Sequence, residues 1–261
     1  MNLRHISPVR GADFSVALAQ SADDIAAAMR LRYRVFVQEL GAQSATIDHT
    51  AAIERDRFDP HAKHVLLRDL NLPVDQQVVG AYRLLDQAGA DAIGGFYTEA
   101  EFDISALKSS GKRLLELGRS CIAPDYRGSA ALLHLWQGVG RYVAAHQIDC
   151  LFGVASFQGT NPADHDAPLA LLKTEHLADP DIRPYAVGQN AAPIMSDANA
   201  IDRKAAMRAM PPLIKSYLRM GGKVGPDVFI DHDFNTVDVC MIVDIAGLSP
   251  RQHSLYGQPT P

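Results

Sequence analysis

The sequence predicts a mixed α/β fold formed by one domain that spans residues 1–261. Apolar residues recur at helical spacing in two segments, 25–40 and 132–143, and short apolar runs typical of strands lie between and after them. Residues 114–155 read in the order strand, loop, helix, strand, which is a β-α-β crossover. Hydrophobic residues make up 47% of the chain, so a protein of this length can bury a full core.

The first half of the chain is predicted to hold one long helix and a hairpin. Ser21 can cap a helix whose apolar residues continue to Leu40, and Gly41 can end it. Two strand-like runs follow, around His64–Arg68 and Gln77–Leu85, and the polar residues between them suit a hairpin.

The rest of the chain shows sequence signals of further strands and helices. A strand at 114–123 leads through a turn into a helix, and the continuous apolar run at 150–155 is typical of a strand in the middle of a sheet. The other predicted elements are a short helix at 99–107, a helix at 166–178, a basic helical extension at 203–223 that is broken at Pro211-Pro212, and two final strands near 224–230 and 237–245.

Composition excludes several classes of protein. The net charge of -5 argues against a general attraction to nucleic acid or to an anionic membrane. The N-terminus shows no signal peptide, which predicts a cytoplasmic protein. The three cysteines have no CxxC spacing, so neither a disulfide framework nor a zinc site is expected, and no bound metal or cofactor is predicted.

A loop with the character of an anion site opens the helix after residue 123. Backbone N–H groups at the start of a helix can bind phosphate. The loop resembles the acyl-carrier signature of the GNAT superfamily, and this resemblance implies that Arg127, Gly128, Ser129 and Ala130 hold a phosphopantetheine arm or coenzyme A. Ala130 stands where the superfamily often has a second Gly, which favours acyl carrier protein over coenzyme A as the donor. The alternative is a plain turn that needs Gly128 for its geometry.

A second candidate site lies in the strand before this loop. Glu116 and Arg119 are three residues apart, so in a regular strand they would face opposite sides of the sheet. A β-bulge at Gly118 would bring both to one pocket and would splay the strand. Such a strand resembles the one that GNAT proteins use to admit a thioester. This resemblance implies a GNAT-like fold, with a largely antiparallel sheet flanked by helices.

Six charged residues in the first half occur in an order that resembles the acyl-homoserine lactone synthases, a GNAT-fold family. They are Arg32, Asp56, Asp59, Arg83, Glu116 and Arg119. The resemblance implies that the first four bind a small amino-acid substrate and that Glu116, Gly118 and Arg119 form the catalytic strand. For each residue taken singly the alternative is an exposed charge, and for Glu116, Arg119 and Asp59 together it is a structural cluster of ion pairs that holds strands together.

The C-terminal half resembles the bacterial L-ornithine Nα-acyltransferases in two segments, Pro211–Lys223 and Asp231–Val239. This resemblance implies transfer of a 3-hydroxyacyl group from acyl carrier protein to ornithine, which yields a lyso-ornithine lipid. Signal synthesis by an acyl-homoserine lactone synthase, synthesis of another N-acyl amino acid, and a non-catalytic haemolysin-like or lipid-binding role are the alternatives. A lytic protein would need an apolar hairpin or a strongly amphipathic helix, and the sequence shows neither.

Residues 203–223 carry six basic residues and no Asp or Glu in an otherwise acidic protein. Arg208, Lys215 and Arg219 are candidates for docking the acidic carrier protein. The same face could rest on an anionic membrane leaflet, or it could be an ordinary solvated helix surface.

Amide formation from a thioester needs a neutral amine, because a protonated amine has no lone pair for attack. Glu116 is the first candidate for the base that removes the proton. An acyl-enzyme route through Cys121 is the less favoured alternative, since Cys121 reads as a buried strand residue.

Overall fold

The computed structural model describes residues 11–128, 130–195 and 202–249. The helices are α1 (Ala22–Arg32), α2 (Gln87–Ile93), α3 (Ser105–Lys108), α4 (Ala131–His146), α5 (Asp166–Glu175), α6 (Arg203–Ala209) and α7 (Pro212–Arg219). The strands are β1 (Phe14–Leu18), β2 (Ile47–Asp48), β3 (Ile53–Glu54), β4 (Lys63–Asp69), β5 (Val78–Asp86), β6 (Phe102–Asp103), β7 (Leu114–Ile122), β8 (Cys150–Gln158), β9 (Tyr185–Ala186), β10 (Ala191–Pro193), β11 (Lys223–Val224), β12 (Asp227–Asp231) and β13 (Thr236–Asp244).

One large sheet runs through the described part of the chain in the order β1-β4-β5-β7-β8-β13-β12-β10, with β11 also paired to β13. All neighbouring strands along this path are antiparallel except β7 and β8, which are parallel and enclose the crossover helix α4. This confirms the predicted mixed sheet, and it places the predicted β-α-β unit at the centre.

The first helix forms where the sequence predicts it. The Ser21 side chain accepts a hydrogen bond from the backbone N–H of Asp24 at 3.1 Å, and Ala28 and Leu31 are buried against the sheet. After Arg32 the chain continues as a π-helix over Tyr33–Glu39, a geometry often found at functional sites.

The predicted helix at 99–107 is wrong. The chain instead makes a 3₁₀ turn at Tyr97–Ala100, then the short strand β6, then α3. Phe102 and Ile104 are both buried, and β6 pairs with β9, so contacts distant in sequence override the local helical spacing. The sequence does not predict strand β1 at the edge of the sheet. Its residues are only partly buried and show no clear alternation of apolar and polar side chains.

An aromatic cluster fixes α7 against the sheet. The Trp136 ring on α4 packs edge-on against Tyr82 and Tyr217, with ring centres 5.7 and 5.1 Å away. The hydroxyl groups of Tyr82 and Tyr217 lie 2.7 Å apart inside the core. The basic segment that contains α7 is thus tied to the central strands. No helix in the described ranges has the length and apolar character needed to cross a membrane.

Candidate active site

Strands β7 and β8 separate part-way along their length, and a cavity of about 330 Å³ lies where they part. They pair only over residues 114–116 and 150–152. Gly153 stands at the branch point, because a Cβ atom there would lie 2.1 Å from the carbonyl oxygen of Leu117. The gap opens toward the end of β7 that leads to the Gly128 loop, as predicted for a splayed strand.

A β-bulge interrupts the pairing of β7 with β5 on the other side. Arg119 and Ser120 both stand opposite the single residue Tyr82. Arg119 has a left-handed φ of 51°, which is uncommon outside glycine. The bulge thus begins one residue after the predicted position, Gly118, which stays in register with β5. Its effect is the predicted one, because Glu116 and Arg119 both line the cavity.

Glu116 is buried in the cavity wall between β7 and the 3₁₀ turn. Its carboxylate accepts hydrogen bonds from the backbone N–H groups of Tyr97, at 3.0 Å, and Thr98, at 2.6 Å. Burial raises the pKa of the Glu116 carboxyl, and the hydrogen bonds from Thr98 and Tyr97 oppose part of that rise. The carboxylate therefore anchors the turn while it faces the cavity.

The Arg119 guanidinium is held from two directions. It lies 4.6 Å from the ring centre of Tyr97 and 4.4 Å from that of Phe234, within the range of cation–π interactions. Its Nε atom donates to Glu54 at 3.3 Å and its Nη2 atom to Asp56 at 3.0 Å. These contacts give the side chain one defined position in the cavity wall.

Arg119 belongs to a closed ring of alternating charges, here called the charge ring. Arg32 binds Glu54 and also reaches both Asp59 oxygens, at 2.6 and 3.1 Å. Arg83 Nη1 lies 2.6 Å from Asp56 and 3.2 Å from Asp59. The order around the ring is Arg32, Glu54, Arg119, Asp56, Arg83 and Asp59. Every member is at most 10% exposed, and the formal charges cancel.

The four residues predicted to bind substrate lie in this ring and not in the cavity wall as the structure describes it. They are Arg32, Asp56, Asp59 and Arg83. Asp56 contacts the cavity-lining Arg119, and the Arg83 guanidinium lies 5.7 Å from the ring centre of the cavity-lining Tyr97. Burial by itself would raise the pKa of the Asp59 carboxyl, but the Arg32 and Arg83 guanidiniums hold it well below its usual range. Asp59 is therefore ionised at neutral pH. Direct contact of these four residues with substrate stays a prediction.

The predicted carrier loop is partly described. Gly128 has a φ of +74°, so the turn does need glycine there. The Arg127 guanidinium binds both carboxylate oxygens of Glu39 on the π-helix, at 2.5 and 2.8 Å. Ala130 immediately precedes α4. Ser129 lies outside the described residues.

The basic extension adjoins the cavity. Pro211 and Leu213, at the start of α7, form part of the cavity wall. Close to them in the chain, Lys204, Arg208 and Lys215 share one shallow depression on the surface, lined also by Arg203 and Met207. Arg203 pairs with Glu175, whereas Lys204, Arg208 and Lys215 make no ion pair with an acidic side chain among the described residues.

A second group of carboxylates, here called the acidic triad, borders the same cavity and is separate from the charge ring. Asp231 and Asp238 line the cavity, and one oxygen from each lies within 4.8 Å of an oxygen of Glu101. Burial raises the pKa of the Asp238 carboxyl to about 7, and burial together with Asp238 raises that of Glu101 well above its usual range.

Comparisons with known proteins identify the family to which the chain belongs. Residues 31–137 match the family model described as an Acetyltransferase (GNAT) domain. An L-ornithine N(alpha)-acyltransferase of Rhodobacter capsulatus is 47% identical to this chain, over 93% of this chain and 94% of the relative. One of Brucella abortus is 43% identical, over 93% and 88%. The chain belongs to the L-ornithine N(alpha)-acyltransferase family. It is an N-acyltransferase, and the resemblance drawn from its C-terminal half is confirmed.

The fold is shared more widely than this family. The solved structure of a CoA-dependent acyl-homoserine lactone synthase, MesI, matches with a TM-score of 0.51 at 14% identity, over 95% of this chain and 97% of that chain. At so low an identity the match shows the fold alone. Together with the GNAT family model over residues 31–137, it confirms the predicted GNAT-like architecture.

Some residues of the site carry no signal that identifies this family. Glu54 lies in a strand of only two residues and belongs to no motif. Glu101 falls where the sequence predicts a helix. Asp238 does have a local signal, since it interrupts an otherwise apolar strand between Val237 and Val239. A charge at such a position is typical of a functional group.

Proposed function

We propose that this protein transfers a 3-hydroxyacyl group from acyl carrier protein to the α-amino group of L-ornithine, with a lyso-ornithine lipid as product. The observation that carries the proposal is the 47% identity to the Rhodobacter capsulatus enzyme over nearly the whole of both chains. The cavity between the splayed strands supplies a place for the reaction, with Glu116 and Arg119 in its wall.

The thioester arm enters the gap between β7 and β8. Backbone groups of residues 117–120 have no pairing partner on β8, so a backbone N–H there can donate to the carbonyl oxygen of the thioester. Such a donor stabilises the oxyanion that forms during acyl transfer, a contribution of about 3 kcal/mol in other enzymes. The start of the 16-residue helix α4, just after Gly128, faces the phosphate of the arm.

The reaction is a direct displacement. The neutral α-amine attacks the carbonyl carbon, a carbon–nitrogen bond forms, the carbon–sulfur bond breaks, and the carrier thiolate takes up a proton. We assign removal of the amine proton to Glu116, because a raised pKa makes its carboxylate a stronger base. The covalent alternative is unfavourable, since burial raises the pKa of the Cys121 thiol to about 12.

Arg119 is placed to hold the carboxylate of the acceptor. Its side chain lines the cavity, and the guanidinium can bind a carboxylate through two parallel hydrogen bonds. Because Glu54 and Asp56 fix its position, the charge ring acts as a support for Arg119. In this proposal Arg32, Asp59 and Arg83 are positioning residues.

The basic extension docks the carrier. Lys204, Arg208 and Lys215 offer a positive surface, and the adjoining Pro211 and Leu213 belong to the cavity wall, so a carrier bound there would deliver its arm over a short distance. The enzyme would then act in the cytoplasm, where the same basic surface could also touch the anionic inner leaflet.

The donor and acceptor are tested together. Purified protein is incubated with a 3-hydroxyacyl carrier protein or the matching coenzyme A thioester and a panel of amino acids, and products are identified by mass spectrometry. N(alpha)-acylornithine formed mainly from the carrier thioester is the expected product. Equal kcat/KM for the two donors would overturn the carrier assignment, and a product with a different amino acid would overturn the acceptor.

The docking surface has its own control. Arg208→Glu with Lys215→Glu should raise KM for the carrier, and the effect should grow at low salt, where surface charges are least screened. Lys63→Glu changes an exposed lysine on β4 and should leave KM unchanged. A salt-independent KM in the double variant would show that the patch is only a solvated surface.

A further inference from the structure

The acidic triad joins three parts of the fold at one side of the cavity. Asp231 ends β12, Asp238 lies on β13, and Glu101 precedes β6. Asp238 is 2% exposed and Glu101 4% exposed. The Asp238 Oδ1 and Glu101 Oε2 atoms are buried without any hydrogen-bond partner among the described residues. Buried unpartnered oxygens of this kind are costly, so they point to a partner that the described part of the chain does not provide.

No cation of the described chain pairs with the triad. Its three carboxylates form no ion pair within 4.0 Å, in contrast to the balanced charge ring. Arg119 is the arginine that acts on both Glu101 and Asp238 at longer range, and it is already bound to Glu54 and Asp56. The triad therefore leaves carboxyl groups without a compensating cation on that side of the cavity, and burial favours the protonated form of Asp238 and Glu101.

The structure assigns the acidic triad as the site that recognises the side-chain ammonium group of the acceptor, which makes the enzyme selective for a diamino acid. This inference rests on the proposed function and deepens it. A positive group placed between the three carboxyl groups would satisfy the open oxygens of Asp238 and Glu101 and would favour their ionised form. Asp231 reaches the same space from the cavity wall.

The same contacts account for selection between the two amines of ornithine. Carboxylates around the side-chain amine keep it protonated, and a protonated amine cannot attack a thioester. The α-amine lies away from the triad and is free to lose its proton. Recognition at the triad thus directs the acyl group to the α-nitrogen.

The test compares L-ornithine with L-norvaline, which has the same carbon chain without the side-chain amine. Binding is measured by calorimetry, and kcat/KM is measured with a saturating carrier thioester, for the wild type, Asp238→Asn, Asp231→Asn and Asp233→Asn. Asp233→Asn removes an exposed charge from the same hairpin and is the matched control. Asp231→Asn changes a half-buried residue, so it keeps the test valid if Asp238→Asn fails to fold.

We expect both triad variants to lose about 10- to 100-fold in affinity and kcat/KM for ornithine, while the values for norvaline change less than about threefold. The control should match the wild type. An unchanged ratio of ornithine to norvaline in both triad variants would overturn the inference. So would equal losses for both acceptors, since these would make the triad part of the proton-transfer machinery.

Two further outcomes separate this inference from the proposed function. If the wild type forms N(alpha)-acylornithine but binds norvaline equally well, the function stands and the inference fails. If the wild type acylates neither compound yet binds ornithine far better than norvaline in calorimetry, the function fails and the triad assignment stands. Titration with MgCl2 and CaCl2 is run in parallel, and tight metal binding that Asp238→Asn abolishes would overturn the ammonium assignment.

Discussion

Replacing Asp59 by Asn tests whether the charge ring is a support or a substrate site. Asp59 is 2% exposed and accepts hydrogen bonds from Arg32 and Arg83. Its loss leaves one excess positive charge buried in the ring. Removing one partner of a buried ion pair typically costs about 3–5 kcal/mol. At about 2–4 °C per kcal/mol, the melting temperature should fall by about 6 to 20 °C.

A double variant makes the test specific. Arg32→Met together with Asp59→Asn removes one charge of each sign and leaves Glu54, Arg119 and Asp56 with Arg83 as a balanced chain. We expect the double variant to be more stable than Asp59→Asn alone, because no unpaired buried charge is left. Additive losses would contradict the balanced ring.

The assay is thermal and urea unfolding, both followed by circular dichroism, beside steady-state kinetics on the same preparations. Asp149→Asn is the control, since Asp149 pairs with Arg113 at the exposed surface and should contribute at most about 1 kcal/mol. The reasoning is refuted if Asp59→Asn keeps wild-type stability and raises KM for the amino acid, which would place Asp59 at the substrate.

The pH dependence of the same variant follows from the pKa of Asp59. The arginines hold this pKa well below its usual range, so the folded state favours the ionised form. The stability that Asp59 contributes is therefore present above the pKa of the unfolded chain and is lost as the pH falls toward the folded pKa. The difference in unfolding free energy between wild type and Asp59→Asn should accordingly shrink below about pH 4.

Three further predictions concern the cavity. Glu116→Gln should lower kcat about 100-fold with little change in carrier KM, and wild-type turnover in the folded variant would remove Glu116 from the mechanism. Gly153→Ala should reduce both melting temperature and kcat/KM, because the added Cβ would stand 2.1 Å from the Leu117 carbonyl oxygen, and an unaffected variant would show that β7 and β8 can move apart freely. Burial raises the pKa of Asp238 from 3.8 to about 7, so the folded state favours its protonated form. As the pH rises from about 4 to about 7, the wild type should therefore lose unfolding free energy relative to Asp238→Asn, as measured by urea titrations at each pH. Parallel pH curves for the two proteins would contradict a buried carboxyl group.

The sequence by itself determined the features that depend on neighbouring residues. Helical spacing and the Ser21 cap predicted α1, and a continuous apolar run predicted the central strand β8. The glycine between Glu116 and Arg119 indicated a bulge, although the extra residue proved to be Arg119 itself. Such signals succeed because hydrogen bonds within helices and turns join residues only a few positions apart.

Tertiary structure alone decided how the charges pair. The bonds from Arg32 and Arg119 to Glu54 span 22 and 65 residues, and no local pattern marks Glu54 as their partner. The acidic triad likewise forms only when the segment before β6 meets β12 and β13. A charged side chain in a sequence can be exposed, paired or left for a substrate, and the choice follows from which other charges burial brings within a few ångströms of it.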